Sequence, residues 1–201
     1  MEGLATVLLA AAAVATAWAT YQAAHWRSEQ AAAGNRSTAA RVQANRAAGV
    51  ANRQAQVQVE TFIQWVNARA AGDEELATFY RRRFRPEFRP AFAAWLATRP
   101  FTTPGAPPTP FDMPQYRSAA VAQADRLEAT GAAESKVAGA YLERADRYTL
   151  CVVLFAMTLF FAGLSTRLRS PRAQAALVAV GCTVFVGAAV WAATFPVSVD
   201  L

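Results

Sequence analysis

Residues 148–166 read YTLCVVLFAMTLFFAGLST, nineteen residues in a row with no acidic or basic side chain. A helix rises about 1.5 Å per residue and the hydrocarbon core of a bilayer is about 30 Å thick, so this stretch is long enough to cross. Two further windows share the property: residues 173–199, and residues 3–26, where His25 near the end is the one titratable nitrogen. With 54% hydrophobic residues in a chain of 201 and a mean hydropathy of +0.14, the composition points to the membrane before it points to any soluble class.

Outward from residue 166 the next polar run is short. Arg167, Leu168, Arg169, Ser170, Pro171 and Arg172 separate the second window from the third, which predicts a tight transmembrane hairpin over residues 148–199. Its turn holds three Arg and no acid, and short loops rich in Arg stay in the cytoplasm. The N-terminus is then expected in the cytoplasm and residues 27–147 outside it. Arg27, Arg36, Arg144 and Arg147 flank the membrane on the opposite side and weigh against this orientation. Aromatic residues agree with the layout: Trp18, Tyr21, Trp26, Tyr148, Trp191 and Phe195 all fall at the span ends that carry the large insert. The first window, residues 1–26, is read as an uncleaved anchor. Ala17-Trp18-Ala19 fits a small-x-small cleavage site, but no basic segment precedes the apolar run and helical text continues past Trp26.

The insert, residues 27–147, is Ala-rich and strand-free. A long helix is expected over residues 27–71, with Val42, Val50, Val57, Val59, Phe62, Ile63 and Val66 as its apolar stripe. Continued from span one, it would project about 65–70 Å at 1.5 Å per residue. Short helices follow over 73–85 and 90–98. Asp73 is placed to cap the first, with acids in its opening turn and arginines in its last. A Pro-rich loop at 100–114 and a second long helix at 115–147 complete the insert. The expected fold is an all-α membrane protein, three transmembrane helices with a long antiparallel helical stalk inserted between spans one and two.

The most distinctive text is FYRRRFRPEFRPAFAAWL at 79–96, in which Phe-Arg-Pro occurs twice. Arg81, Arg82, Arg83, Phe84, Arg85, Phe88, Arg89 and Trp95 are the candidate partner-binding residues. Two readings stand for them: a dipole-matched helix end plugged by Phe, or contact with an acidic partner in the envelope. Nucleic acid is not expected as a partner outside the cytoplasm. In span three, Ala175, Ala179, Thr183 and Gly187 recur every fourth residue. Such a small-residue ridge suits close helix packing, either against span two or against another subunit. Cys151 and Cys182 lie at different membrane depths and read as packing residues.

Catalytic text is missing from this reading. One His and two intramembrane Cys build no metal site, Asp73, Glu74 and Glu75 read as a helix start, and Asp112 reads as a turn residue. No cofactor and no enzymatic activity are expected. A homo-oligomeric channel lined by span one, with Thr6, Thr16 and Thr20 as its polar positions, is the alternative to a scaffold that self-associates or docks an envelope partner.

The order of a first span followed by WRSEQAA, then VETFIQWVNARAAGDEELATFYRRRFRPEFRPAFAAWLATRP at 59–100, then a two-span hairpin, resembles three-span bacterial inner-membrane proteins. The resemblance covers nearly the whole chain. It implies the architecture and a bacterial source, which the use of 19 Arg against a single Lys, Lys136, also favours. It brings no catalytic residue.

Overall fold

A computed structural model describes residues 2–197. Its elements are α1 (Glu2–Ala70), α2 (Glu74–Arg83), α3 (Arg89–Ala97), a 3₁₀ turn (Pro110–Asp112), α4 (Ala119–Ser165) and α5 (Pro171–Ala192). No strand occurs among the described residues. Helices α1, α4 and α5 each contain a stretch long and apolar enough to cross a membrane, which suggests a multi-pass membrane protein. The last two residues of the third window, 198 and 199, lie outside the described residues.

The backbone forms two compact units, one of Met1–Ser37 with Ala133–Leu201, the other Thr38–Ala132. In the first, the spans pack through small residues. Tyr148, fully buried, lies edge-on to Trp18 and to Phe195 at 5.6 and 5.4 Å and donates its hydroxyl to the Pro196 carbonyl. Trp26 packs on Tyr141 at 5.5 Å under the Arg144 guanidinium, 4.7 Å above its ring. Trp26, Tyr148 and Phe195, among the aromatics expected at one set of span ends, thus share one core cluster. Arg36 pairs with Glu134 at 2.9 Å. Cys151 is buried, Cys182 is half-buried, and both thiols are free.

The buried face of α5 is Val178, Gly181, Ala188 and Ala192. A Cβ on Gly181 would stand 3.3 Å from Leu8 Cδ2 and 3.7 Å from Phe161 Cβ, a close approach that a larger residue would meet only if the end of the Leu8 side chain moved aside. The expected ridge lies elsewhere: Ala175 is half-buried, while Ala179, Thr183 and Gly187 are exposed, and nothing comes within 4 Å of a Cβ at Gly187. At about 100° per residue, steps of four advance the face by about 40° each, so the ridge winds off any fixed partner. Steps of seven drift only about 20° and hold a seam. Packing within the chain therefore falls to residues 181 and 188 and not to the ridge.

The same period runs along α1. Ala5, Ala12, Ala19, Trp26, Ala33 and Ala40 are all buried, as are Ser37, Ala44, Ala51, Gln58 and Trp65 four residues out of phase. In α4, Ala138 and Ala145 continue a seven-residue series from buried Gly131. Two interleaved seven-residue series are the mark of helices packed along a shared seam, here one mostly of small side chains. Of the seven larger residues expected as the stripe, Phe62 is buried and Val66 half-buried against the same core, while the other five are outward. Val57 is 61% exposed, Ile63 49%, Val42 43%, Val59 40% and Val50 38%.

The turn from α1 into α2 uses no loop. Gly72, at φ +75°, is the left-handed residue that ends α1; Asp73 N–H donates to the Ala68 carbonyl and Gly72 N–H to that of Arg69. Asp73 then opens α2 by accepting the Leu76 N–H at 2.9 Å. The expected cap is in place, and Asp73→Ala should cost about 1 kcal/mol in a chemical-denaturation measurement, with Asp73→Asn near neutral. Helix α2 stops at Arg83, two residues before the expected 85, because Phe84 turns extended at ψ 133° and Arg85 precedes a proline. Pro90 sits one residue inside α3 after Arg89, and α4 starts at Ala119 and not 115, with Ser118 Oγ accepting the Val121 N–H.

Candidate functional site

The basic aromatic segment is built on the core of the second unit. Phe84, Phe88 and Phe92 recur every fourth residue, and their rings close on one another and on Phe62, Trp65 and Trp95 of the same cluster. Phe88 touches Phe84 at 5.0 Å and Phe111 at 4.9 Å, while Trp65 meets Phe92 at 4.8 Å. Three expected partner-binding residues are therefore corrected. Phe84, Phe88 and Trp95 are 2%, 0% and 3% exposed, and Trp95 donates its indole N–H to the Pro107 carbonyl at 2.8 Å. Edge-to-face rings bury more area together than any of them offers a partner at the surface, so hydrophobic burial decides their place.

The two Phe-Arg-Pro repeats diverge in role. Arg89 folds back to donate to the Phe84 carbonyl at 2.9 Å and the Arg82 carbonyl at 3.1 Å, satisfying acceptors that α2 leaves open at its C-terminus. Arg85 lies 3.8 Å from Glu87, near Tyr116. Burial, reinforced by Glu87 and opposed by Arg85, pushes the Tyr116 phenol above its usual value. The folded state holds that proton more tightly, so the contribution to stability is complete below about pH 10, where a free phenol titrates, and declines above it. Absorbance titration should show a late-ionising tyrosine that disappears in Tyr116→Phe.

Arg83 stacks over the Phe79 ring at 3.4 Å. Arg81 and Arg82 remain, both exposed. With Arg89 they rim a cleft of about 400 Å³ whose floor is Phe84, Phe92, Ala93 and Leu96. Arg81 and Leu96 also border a second cleft of about 290 Å³ beside Trp65, Arg69 and Glu74, where Arg69 and Glu74 form an ion pair. Among the described residues no carboxylate pairs with Arg81, Arg82 or Arg89.

Other sequence candidates settle into local roles. Asp73 is a cap and Glu74 pairs with Arg69. Asp112, expected as a lone turn residue, accepts from Thr109 Oγ1 at 2.8 Å and closes the 3₁₀ turn. Thr16 and Thr20 donate to the carbonyls of Ala12 and Thr16 in their own helix. Among the described residues no three His, Cys, Asp or Glu side chains gather where a metal ion would sit.

Two features escaped the sequence reading. The seven-residue seam is written in Ala5, Ala12, Ala19, Ala33 and Ala40, but alanine carries little hydrophobic signal and the larger side chains dominate the pattern. The cleft depends on α2 and α3 folding across one another, which no local pattern encodes. Comparison with protein family models, with curated proteins and with solved structures finds no significant match.

Proposed function

We propose that the chain is a multi-pass protein of a bacterial inner membrane, non-enzymatic, whose helical insert lies outside the cytoplasm and mediates self-association or docks an envelope partner. One observation carries this reading: the extramembrane part of α1 turns Val42, Val57, Val59 and Ile63 outward while it pairs within the chain through alanine. Val50 and Val57 lie on one flank of the buried seam and Val59 and Ile63 on the other, and exposed branched side chains on a water-facing helix offer an interaction surface. The register of contacts supports an antiparallel stalk. Trp18 meets Tyr148, Trp26 meets Tyr141 and Arg36 meets Glu134, so positions rise along one helix as they fall along the other. The exposed ridge of Ala179, Thr183 and Gly187 offers a second small-residue face for a neighbouring span.

The test is native mass spectrometry of the full chain released from bilayer nanodiscs, alongside photo-crosslinking in cells from position 57. The reading expects an oligomer, or a discrete cross-linked adduct, that Val57→Asp with Ile63→Asp removes. A monomer with no adduct contradicts it.

A further inference from the structure

We propose that the cleft between α2 and α3 is a binding site for a small organic oxyanion, a carboxylate or phosphate ester carried on an apolar body. The cleft lies wholly within one compact unit and is lined by Arg81, Arg82, Arg89, Phe84, Phe92 and Leu96. Its volume of about 400 Å³ falls within the range of small-ligand sites.

The charge argument is the stronger half. Three guanidiniums share one cleft, and none has a carboxylate partner among the described residues. Like charges held together repel; water and salt screen part of this at an exposed rim, and a bound anion offsets the remainder while using the planar forks that guanidinium presents. Arg89 is fixed by its bonds to the Phe84 and Arg82 carbonyls, which occupy two of its five N–H donors and aim the remainder without further loss of side-chain freedom. Arg81 and Arg82 are exposed and uncommitted. Position and charge together form an anion clamp with one rigid arm and two adjustable ones.

The floor sets the rest of the ligand. Ala93 and Leu96 supply the accessible apolar surface of the cleft, held in place from behind by Phe84 and Phe92, which are in edge contact at 4.7 Å and anchored in the aromatic core. An inorganic ion would leave that surface wet. A ligand with an aromatic or short aliphatic body covers it and adds the free energy of apolar burial to that of the charged hydrogen bonds. The inference goes beyond the docking reading and stands without it, since it requires neither a partner protein nor a given side of the membrane.

The experiment uses the full chain in nanodiscs of zwitterionic lipid, titrated by calorimetry with phenyl phosphate, phenylacetate, inorganic phosphate and benzyl alcohol. Saturable binding of phenyl phosphate or phenylacetate is expected, and whichever binds identifies the head group. Arg81→Gln and Arg82→Gln should each weaken it by about tenfold with the melting temperature unchanged, while Arg117→Gln, an exposed arginine of the same unit, should leave it intact. Arg89 is left alone because it also caps α2. Absence of saturable binding by both aryl anions overturns the proposal. So does binding indifferent to Arg81→Gln and Arg82→Gln, or binding of inorganic phosphate or benzyl alcohol as tight as that of the aryl anions.

Discussion

Phe88→Ala is expected to destabilise the second unit by about 3–5 kcal/mol, the range for truncating a fully buried aromatic ring. Phe88 has no exposed surface and contacts the rings of Phe62, Phe84, Phe92, Phe111 and Tyr116 at 4.9 to 6.2 Å. Its loss removes apolar burial and opens a cavity among rings that are themselves locked by their neighbours, so little collapse can fill it. The segment from Phe84 to Tyr116 hangs on this cluster, and protection of its amides against hydrogen exchange should fall together. Arg82→Ala, six residues earlier on the exposed rim, should stay within about 0.5 kcal/mol. Equal effects at the two positions would show that the aromatics are not the core.

The second large effect concerns the alanine seam. Ala31, Ala32 and Ala33 are identical in chemistry and adjacent in sequence, yet Ala33 is fully buried and Ala31 is exposed. Ala33→Leu adds three carbons where the helices already touch and should cost about 1–3 kcal/mol or more through overpacking. It should also separate Arg36 from Glu134 one turn away, whose ion pair spans 2.9 Å. Ala31→Leu meets solvent, and its thermal melting should match that of the unaltered chain. If both leucines are tolerated alike, the seven-residue seam is not what pairs these helices.

The elements that sequence predicted well carry local signals. Residues 148–166 are apolar throughout, Asp73 has the chemistry of a cap and the acids and arginines to match, and Pro86 and Pro171 bound helices wherever they fall. The errors concern faces. Valines at 42, 57 and 59 outweigh alanines on any hydrophobicity scale, but what a close-packed seam selects is small size, and so these valines lie outside it while Phe62 and Val66 of the same stripe pack inward. For the ridge at Ala175, Ala179, Thr183 and Gly187, spacing leaves open whether span two or another subunit packs on it, because spacing does not say which way a helix is rotated.

The candidate site divides on the same principle. Arg81 and Arg82 are exposed, whereas Phe84, Phe88 and Trp95 are taken into the core by rings distant in sequence, Phe62 and Phe111 among them. Arg85 and Arg89 occupy matching positions in a repeated tripeptide, yet one lies beside Glu87 and the other caps α2. Those differences come from what each arginine meets after folding.

Fusion of a paired reporter, one enzyme active only outside the cytoplasm and one only inside, after Phe101 and after Arg169 tests the membrane architecture most directly. The outside signal is expected at Phe101 and the inside signal at Arg169. The same signal at both would remove the span over residues 148–166, and inverted signals would place the helical insert in the cytoplasm and contradict its role in the envelope.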